Sequence, residues 1–430
     1  MFATMRILWV MLAGIPLVML VPRPSTVMAW TGVVVLLAVG DALAAPSVRS
    51  MQAERRVARS VRLGESTTTT LTVTNAGRRT ARLVLRDAWP PSAGASGERG
   101  SLTLPPGQRR RHSTTLRPWR RGDRSAGPVT LRSLGPLGLA GRQANVWAPA
   151  HVRVLPPFHS RRHLPSRLAR LREMDGRSAV MVRGAGTEFD SLREYVVGDD
   201  VRSIDWRSSA RRGEVVVRTW RPERDRRVLI IMDTGRLAAA RLGQAPRLDS
   251  QIEATLLLSA LASHAGDRVD VLALDYEVRA QVRGQSGPAL MSALADSLAP
   301  LEPRLVELDW TQVASLTHSQ LSQRALVVVI SALDGGGADA AMLRSLSALA
   351  RRHTVVLASA LDSELDDLRA RRDNAESVYV AAAAERERVE VDALRSRLRR
   401  NGVEVVEAND QGLAPALADA YLDLKAAGRL

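Results

Sequence analysis

Two long apolar runs fill most of the first 45 residues of the chain. They cover 5–21 and 27–45, and a Pro-Arg-Pro turn at 22–24 separates them. Each run is close to the roughly 20 residues that an α-helix needs to cross a bilayer. We therefore predict a helical hairpin with two transmembrane spans within residues 1–50. A cleaved signal peptide ending near 42–44 is the alternative, and the presence of a second apolar run speaks against it.

The distribution of positive charge around these runs predicts their orientation. The turn carries only Arg23, whereas the chain after the second run carries Arg49, Arg55, Arg56 and Arg59. Short loops rich in arginine stay on the cytoplasmic side of a membrane. The predicted location is therefore the cytoplasmic membrane, with the N-terminus and the soluble part of the chain in the cytoplasm.

The pattern changes to short alternating runs over residues 51–157. Threonine- and valine-rich segments bounded by Gly, Pro and Asn turns are typical of β-strands. Several short strands at regular spacing predict a small β-sandwich domain. The strands are predicted at 69–74, 82–87, 101–104, 113–116, 129–131 and 152–155.

Residues 227–430 instead alternate between apolar, β-rich runs and helical patterns. The unbroken apolar run at 228–232 indicates a strand that is buried on both faces of a sheet. Regular alternation of strands and helices predicts a parallel, doubly wound α/β sheet, which binds ligands at the carboxyl ends of its strands. That edge would carry Asp233, Asp275, Ser331 and Asp334. We predict strands at 228–232, 269–274, 325–330, 354–358 and 403–406, and helices at 248–264, 289–298, 338–351, 385–400 and 413–427.

Between these regions, residues 158–226 are predicted to form an arginine-rich linker followed by an ordered surface strap. The strap alternates acidic and basic residues around Phe189, Leu192, Tyr195 and Trp206. We expect these four large side chains to pin the strap, and Arg–carboxylate pairs to fix its shape. A solvated charged loop is the alternative, and it would leave the aromatic side chains without packing partners.

The strap also resembles the signature of a bacterial family called domain of unknown function 58. The resemblance rests on Gly-Thr-Glu-Phe at 186–189, Leu-Arg-Glu-Tyr at 192–195 and Gly-Asp-Asp-Val-Arg-Ser-Ile-Asp-Trp at 198–206. Members of this family join an N-terminal membrane anchor, a small β-rich domain and a von Willebrand factor A-like domain. The resemblance implies the same architecture here, with the von Willebrand factor A-like domain at 227–430.

The resemblance also implies a partner, because family members are commonly associated with MoxR-type AAA+ ATPases. We expect a membrane-anchored interaction protein that faces the cytoplasm and works with such an ATPase in chaperone-like or envelope-related assembly. The strap would then form the partner surface. The strap residues expected to bind are Glu188, Phe189, Arg193, Glu194, Tyr195, Gly198, Asp199, Asp200, Arg202, Asp205, Trp206, Arg211 and Glu223.

Von Willebrand factor A domains often bind a divalent ion through an Asp-x-Ser-x-Ser motif after the first strand. Here Asp233 is kept, but Gly235 and Leu237 stand in the two serine positions. Arg236 adds a positive charge beside the ion position, and oxygen ligands are what a hard cation requires. We expect a degenerate metal site at Asp233 and Asp334, no bound cofactor, and magnesium as the ion if one binds.

The net charge of the chain is +16, and lysine is present only at Lys425. Arginine binds phosphates and carboxylates in a bidentate fork, so anionic lipid, an acidic protein or nucleic acid would each suit it. Genomic base composition is a further explanation for arginine in place of lysine. Aromatic residues make up only 3% of the chain, and this argues, together with the membrane spans, against nucleic acid as a partner.

No catalytic motif is evident in the sequence. Cysteine is absent, and neither a Gly-x-Ser-x-Gly elbow nor a phosphate-binding Gly-x-x-x-x-Gly-Lys loop occurs. We therefore predict that the chain is not an enzyme. The alternative is a metal-dependent hydrolase or a metal-dependent adhesion protein that uses Asp199, Asp200 or Asp233.

Overall fold

The computed structural model describes residues 1–181, 188–221, 226–333, 339–371 and 373–430. The chain divides into two compact units, Met1–Pro157 and Phe158–Leu430. The first unit holds the apolar N-terminal helices and three small sheets. The second holds a six-stranded sheet with its helices and two two-stranded sheets.

The first unit begins with a short strand and three helices, and strands make up most of the rest. The helices are α1 (Arg6–Leu12), α2 (Ile15–Leu20) and α3 (Pro24–Ala44). The strands are β1 (Phe2–Ala3), β2 (Met51–Arg56), β3 (Ser60–Arg62), β4 (Thr67–Asn75), β5 (Ala81–Arg86), β6 (Ala95–Ser96), β7 (Arg99–Leu104), β8 (Arg109–Leu116), β9 (Gly122–Ser125), β10 (Val129–Leu134), β11 (Ala140–Val146) and β12 (His151–Leu155).

Two sheets of this unit share one apolar core. Their strand orders are β1-β11-β10-β5-β7 and β2-β4-β8-β6, and a third sheet has the order β3-β12-β9. Alternation of apolar and polar residues directs Leu71 and Val73 of β4, and Leu83 and Leu85 of β5, into the same core. This two-layer arrangement is the one that the alternating pattern predicts.

The second apolar run of the sequence forms one helix, whereas the first run is broken. Within the described chain, only the segment that contains α3 is long and apolar enough to cross a membrane. The first run forms α1 and α2, which meet at Ala13 and Gly14. The indole N–H of Trp30 in α3 donates a hydrogen bond to the carbonyl oxygen of Met11 at 3.3 Å. Gly14 makes this contact possible, because a Cβ atom there would lie 2.1 Å from the Trp30 ring.

Asp41, near the end of α3, fastens the N-terminal helices to the sandwich. Its buried carboxylate accepts hydrogen bonds from the backbone N–H groups of Leu137, Leu139 and Ala140 at 2.7, 2.7 and 2.9 Å. Gly135 leaves room for it, because a Cβ atom there would lie 2.3 Å from the carboxyl group. Buried N–H groups need acceptors, so this carboxylate allows the loop between β10 and β11 to pack against the helix.

Two further contacts join the anchor to the same sheet. β1 pairs antiparallel with β11, with Phe2 opposite Gly141. The side chain of Arg142 in β11 donates hydrogen bonds to the carbonyl oxygens of Ala42 and Leu43, each at 3.0 Å. A cation at these last carbonyl groups also offsets the negative end of the helix dipole. Residues near both ends of this N-terminal segment, 2–3 and 42–43, therefore contact β11.

The second unit contains nine helices and ten strands among its described residues. The helices are α4 (Leu164–Met181), α5 (Trp206–Arg212), α6 (Arg247–His264), α7 (Gly287–Leu298), α8 (Trp310–Gln320), α9 (Asp339–Ala350), α10 (Ser363–Ala370), α11 (Ala375–Arg400) and α12 (Leu413–Ala426). The strands are β13 (Glu188–Glu194), β14 (Val216–Arg221), β15 (Arg227–Asp233), β16 (Arg241–Leu242), β17 (Ala245–Pro246), β18 (Arg268–Leu274), β19 (Val278–Val282), β20 (Leu326–Ile330), β21 (Thr354–Leu361) and β22 (Val403–Asn409).

The six-stranded sheet has the order β19-β18-β15-β20-β21-β22. Adjacent strands from β18 to β22 in this order pair in parallel. β15 is buried on both faces, as its unbroken apolar run predicts. Val228, Ile230 and Met232 belong to one apolar core, and Leu229 and Ile231 belong to a second core.

Two parts of this unit differ from the prediction. β19 forms an antiparallel hairpin with β18, so the sheet is not wholly parallel. The stretch expected to be an arginine-rich linker instead contains α4, whose Leu171 is buried. Arg167 of α4 pairs with Asp419, and Arg170 pairs with Asp423, each at 2.6 Å. The arginines that suggested a charged linker in the sequence therefore lie on a helix and form ion pairs with α12.

We predict that Asp41→Ala loosens the junction between the anchor and the sandwich. The substitution removes the acceptor of three N–H groups, and each buried donor left without a partner costs about 1–3 kcal/mol. Amide hydrogen exchange of the full chain in detergent should accelerate at Leu137, Leu139 and Ala140. Asp41→Asn keeps one acceptor oxygen and should give an intermediate effect. Unchanged exchange at all three amides in the alanine variant would contradict this role of Asp41.

Candidate functional site

The strap that the sequence singles out forms a two-stranded ribbon. We call residues 188–221 the signature ribbon: β13, a 3-10 turn at Val201–Ser203, α5 and β14. β13 and β14 pair antiparallel, with Glu194 opposite Val216, and they form a sheet of their own. The ribbon is therefore ordered, and its shape depends on contacts within the ribbon that the sequence could suggest only in part.

Asp199 closes the turn that follows β13. Its two carboxylate oxygens accept hydrogen bonds from the Arg193 guanidinium at 2.7 and 2.5 Å, and the N–H of Val196 donates to it at 3.0 Å. These bonds, the one from Arg193 foremost, lower the pKa of Asp199 and keep it ionised. Gly198 has a φ of 113°, a backbone conformation that favours glycine. Asp199 and Gly198 thus have structural roles in the turn.

Asp205 joins α5 to β14. Its carboxylate caps α5 by accepting from the N–H of Ser208 at 3.0 Å, and it pairs with Arg218 of β14 at 2.8 Å. The N–H of Ser208 and then Arg218 lower the pKa of Asp205. The hydroxyl of Ser209 accepts a hydrogen bond from the N–H of Val216 at 2.9 Å. The sequence did not reveal the role of Arg218, because only the strand register brings it to a carboxylate 13 positions away.

Asp200 has a similar local role. Its side chain accepts a hydrogen bond from the N–H of Arg202 at 3.0 Å and caps the 3-10 turn. Asp199 and Asp200 were candidates for the metal-dependent alternative, and Asp205 was expected to bind a partner. Each of them instead accepts hydrogen bonds from backbone N–H groups or arginines of the ribbon.

Trp206 does not pin the ribbon, contrary to our expectation. Its side chain is 67% exposed at the start of α5. The apolar residues buried in the described part of the ribbon are Val216 and Val217 of β14, while Leu192 and Tyr195 are half-buried. A β-strand directs alternate side chains to opposite faces, but the adjacent valines are both covered because α5 and the 3-10 turn pack over β14.

Exposed apolar side chains and exposed arginines both occur on the ribbon. The apolar part consists of Trp206 and the exposed valines Val196, Val197 and Val201. The arginines were expected to pair with the neighbouring aspartates, but within the described chain they form no ion pair. They are exposed and comprise Arg202, Arg207, Arg211 and Arg212.

The remaining ribbon residues fall into two groups. Glu194 ends β13 and is exposed. Glu188 and Phe189 lie in β13, where the backbone of Phe189 is opposite Trp220. The structure describes the backbone of Glu188 and Phe189 but not their side chains. Glu223 and the Gly-Thr pair at 186–187 lie outside the described residues altogether.

The carboxyl edge of the six-stranded sheet gathers a second cluster of polar residues. Asp233 ends β15, and Ser331 follows the adjacent parallel strand β20. The Ser331 hydroxyl donates a hydrogen bond to one Asp233 oxygen at 2.6 Å, and the N–H of Gly235 donates to the other at 2.7 Å. Burial raises the pKa of Asp233, and the charges of Asp275 and Glu307 raise it further, although both hydrogen bonds oppose them.

Asp275 lies one strand away, after β18. Its buried carboxylate accepts hydrogen bonds from Arg279 at 3.0 Å, from Thr234 at 3.2 Å and from the N–H of Glu277 at 3.2 Å. Burial alone would raise its pKa, but these three bonds together outweigh burial and lower it. The edge therefore holds two carboxylates whose environments shift their pKa values in opposite directions.

The donor set at Asp233 does not fit a divalent cation. A cleft of about 10 Å³, close to the space that one water needs, is lined by Asp233, Arg236, Glu307 and Ser331. Both Asp233 oxygens already accept hydrogen bonds, and Arg236 donates to Glu307 in the same cleft. No group of three or more His, Cys, Asp or Glu side chains suited to a metal occurs among the described residues. Asp334 lies outside those residues.

The fold and the ribbon together define an α/β protein with a separate β-sandwich unit. The family model described as "Protein of unknown function DUF58" matches residues 191–411, which is 221 of the 430 residues. The chain belongs to this family, and the resemblance on the strap motifs is confirmed.

Relatives in mycobacteria share part of the chain. Uncharacterized protein Rv1480 of Mycobacterium tuberculosis strain H37Rv is 26% identical over 186 residues, and Uncharacterized protein Mb1516 of Mycobacterium bovis gives the same values. The similar stretch covers 42% of this chain and 57% of each relative. The chain thus spans little more than half the length of the relatives it matches.

Similarities to solved structures are weak. The CARDB domain of the PF1109 protein from Pyrococcus furiosus has 13% identity and a TM-score of 0.19, and covers 24% of this chain and 87% of that chain. Escherichia coli alpha-2-macroglobulin activated by porcine elastase has 12% identity and a TM-score of 0.20, and covers 88% of this chain and 31% of that chain. Similarities this low carry no argument about the fold or function of this chain.

We predict that Asp205→Ala disorders one end of the signature ribbon. The substitution removes both the cap of α5 and the partner of Arg218, so amide exchange over 206–218 should accelerate. Asp205→Asn is the matched control, because it retains an acceptor for the N–H of Ser208 and loses only the ion pair. Exchange rates equal to those of the wild type in the alanine variant would show that Asp205 does not hold the ribbon.

We predict that Asp233→Asn stabilises the protein at neutral pH. The pKa of Asp233 is raised on folding, so the wild type loses stability as the pH rises above the unfolded value of about 3.9. In thermal unfolding experiments, the melting temperature of Asp233→Asn should exceed that of the wild type at pH 7. This difference in melting temperature should disappear near pH 4. A variant that is less stable than the wild type at pH 7, with magnesium increasing the difference, would instead indicate that an ion uses the carboxylate.

Proposed function

We propose that this protein is a membrane-anchored interaction protein whose signature ribbon binds a protein partner. The observation that carries the proposal is Trp206, whose side chain is 67% exposed on a ribbon with four exposed arginines that form no ion pair among the described residues. Tryptophan and arginine contribute disproportionately to binding energy at protein interfaces. Hydrogen bonds to Asp199, Asp200 and Asp205 fix the backbone of the ribbon. The ribbon therefore has its shape before a partner binds, which lowers the entropic cost of binding.

The partner we propose is a MoxR-type AAA+ ATPase, in a chaperone-like or envelope-related assembly process. The proposal comes from the resemblance to the family and not from a contact. The ribbon carries an exposed aromatic side chain and positive charge. A complementary partner surface would have an apolar pocket surrounded by carboxylates.

For the large sheet we propose a von Willebrand factor A-like, doubly wound arrangement. The parallel strands, the apolar cores on both faces and the polar cluster at the carboxyl edge support it. We propose that this domain holds no cofactor and performs no catalysis. The metal-dependent hydrolase or adhesion protein remains the alternative, and the magnesium dependence of Asp233→Asn distinguishes it.

For the anchor we propose a two-span hairpin in the cytoplasmic membrane. The first and last residues of the anchor segment both meet β11, so a crossing by α3 requires a return crossing by the segment of α1 and α2. The arginines that follow α3 favour a cytoplasmic sandwich. The second unit would then also lie in the cytoplasm, where an ATPase partner is available.

The full chain in detergent and the MoxR-type ATPase of the same organism provide the test. We predict nucleotide-dependent binding that Trp206→Ala weakens at least tenfold without changing thermal stability, because an exposed side chain contributes little to folding and a hot-spot truncation costs about 2 kcal/mol or more. Trp147→Ala is the matched control, since Trp147 is 68% exposed in the other unit. Equal affinity of both variants would exclude the ribbon surface, and absence of binding by the wild type would exclude the partner.

A further inference from the structure

The excess positive charge of the chain is confined to the first unit. Residues 1–157 contain 22 arginines and no lysine against 6 aspartates and glutamates, which accounts for the whole net charge of +16. Residues 158–430 contain 39 basic and 39 acidic residues and have no net charge. Genomic base composition would account for arginine in place of lysine, but it would not account for the scarcity of carboxylates in one unit only.

Five exposed arginines lie on chain segments that meet near the end of α3. We call them the proximal arginine cluster: Arg49, Arg78, Arg79, Arg109 and Arg110. Arg49 follows α3 by five residues, in the 3-10 turn Val48–Ser50. Within the described chain these arginines form no ion pairs.

Backbone hydrogen bonds hold the three segments of the cluster together. The N–H of Ala76 donates to the carbonyl oxygen of Ser50 at 3.0 Å, which joins the β4–β5 turn to the segment after α3. The N–H of Asn75 donates a hydrogen bond to the carbonyl oxygen of Gln108 at 3.0 Å, and the N–H of Gly107 donates one to the carbonyl oxygen of Asn75 at 2.8 Å. These bonds join the β7–β8 turn to the end of β4. The arginines are therefore fixed at the end of the sandwich to which the anchor is attached.

Carboxylates do not neutralise this end of the sandwich. The segments 45–50, 76–80 and 104–111 contain no aspartate or glutamate. Asp41 is near, but its oxygens accept the N–H groups of the β10–β11 loop. Elsewhere in the unit, Asp87 pairs with Arg55 at 2.6 Å and Asp123 pairs with Arg153 at 2.8 Å.

We infer that the proximal arginine cluster binds the phosphate groups of anionic phospholipids in the leaflet beside the sandwich. The inference rests on the proposed membrane anchor, which places this end of the sandwich at the headgroup level. Arginine forms bidentate hydrogen bonds with phosphate, and anionic headgroups attract basic groups within about one Debye length. Because Asp41 and Arg142 couple the sandwich to the anchor, lipid binding would also fix how the sandwich stands on the membrane.

The full chain in lipid nanodiscs tests this inference. Discs of phosphatidylcholine alone are compared with discs that contain increasing fractions of phosphatidylglycerol, and amide exchange is measured over 75–80 and 105–111. We expect phosphatidylglycerol to slow exchange in both segments. Arg78→Gln with Arg79→Gln should weaken the lipid response roughly fivefold for each arginine removed.

The matched control removes the same charge elsewhere in the unit. Arg86 and Arg99 are exposed and lie opposite each other on β5 and β7. Arg86 is about 17 Å along β5 from the start of that strand next to the cluster. Arg86→Gln with Arg99→Gln should leave the lipid response unchanged.

Each other outcome overturns the inference in a distinguishable way. Equal protection in both kinds of disc, or an equal loss in both double variants, would show that the cluster does not recognise anionic lipid. Protection by an added oligonucleotide in phosphatidylcholine discs, with none from phosphatidylglycerol, would assign the cluster to nucleic acid. Failure of the chain to enter discs of either composition would contradict the anchor itself, and with it the lipid inference, but not the ribbon surface.

Discussion

Backbone N–H groups at the ends of helices and in tight loops need acceptors, and aspartates supply them at the junctions of this protein. Asp41 accepts from the loop that packs against α3, Asp205 caps α5 while it pairs with β14, and Asp233 accepts from Gly235 at the edge of the large sheet. A loop or helix end that lacked its acceptor would lose the order that positions the surface beside it. The conformation of the exposed faces of the sandwich and the ribbon thus depends on carboxylates that accept hydrogen bonds from the backbone.

This use of carboxylates changes how the charged residues of the chain are interpreted. The aspartates of the signature motif accept hydrogen bonds within the ribbon, whereas several exposed arginines of the ribbon form no ion pair among the described residues. The same separation recurs on a larger scale, because the first unit has few carboxylates and the second has a balanced set. Net charge in this protein therefore differs between the two units, and both proposed binding surfaces include exposed arginines that form no ion pair among the described residues.

The periodic parts of the chain could be predicted well, and the exceptions have identifiable causes. β15 and β20 were evident from unbroken apolar runs, and β4 and β5 from alternation. β19 was missed because an edge strand with one solvated face shows only a weak apolar pattern. α4 was taken for a linker, since its arginines pair with Asp419 and Asp423, which lie about 250 positions away in the sequence and are not recognisable as partners from local pattern.

By itself the sequence determined the family, the total charge and the order of apolar N-terminal segment, β-rich unit and α/β unit, because these follow from a long motif, composition and apolar periodicity. Only the tertiary structure decided which charged groups are paired and which side chains are covered. Trp206 is exposed and Val216 and Val217 are buried, because the strand register and the packing of α5 determine access to solvent. Arg218 meets Asp205 for the same reason. Long-range contacts of this kind leave no periodic signal, so a sequence can propose the residues of a surface but not which of them face outward.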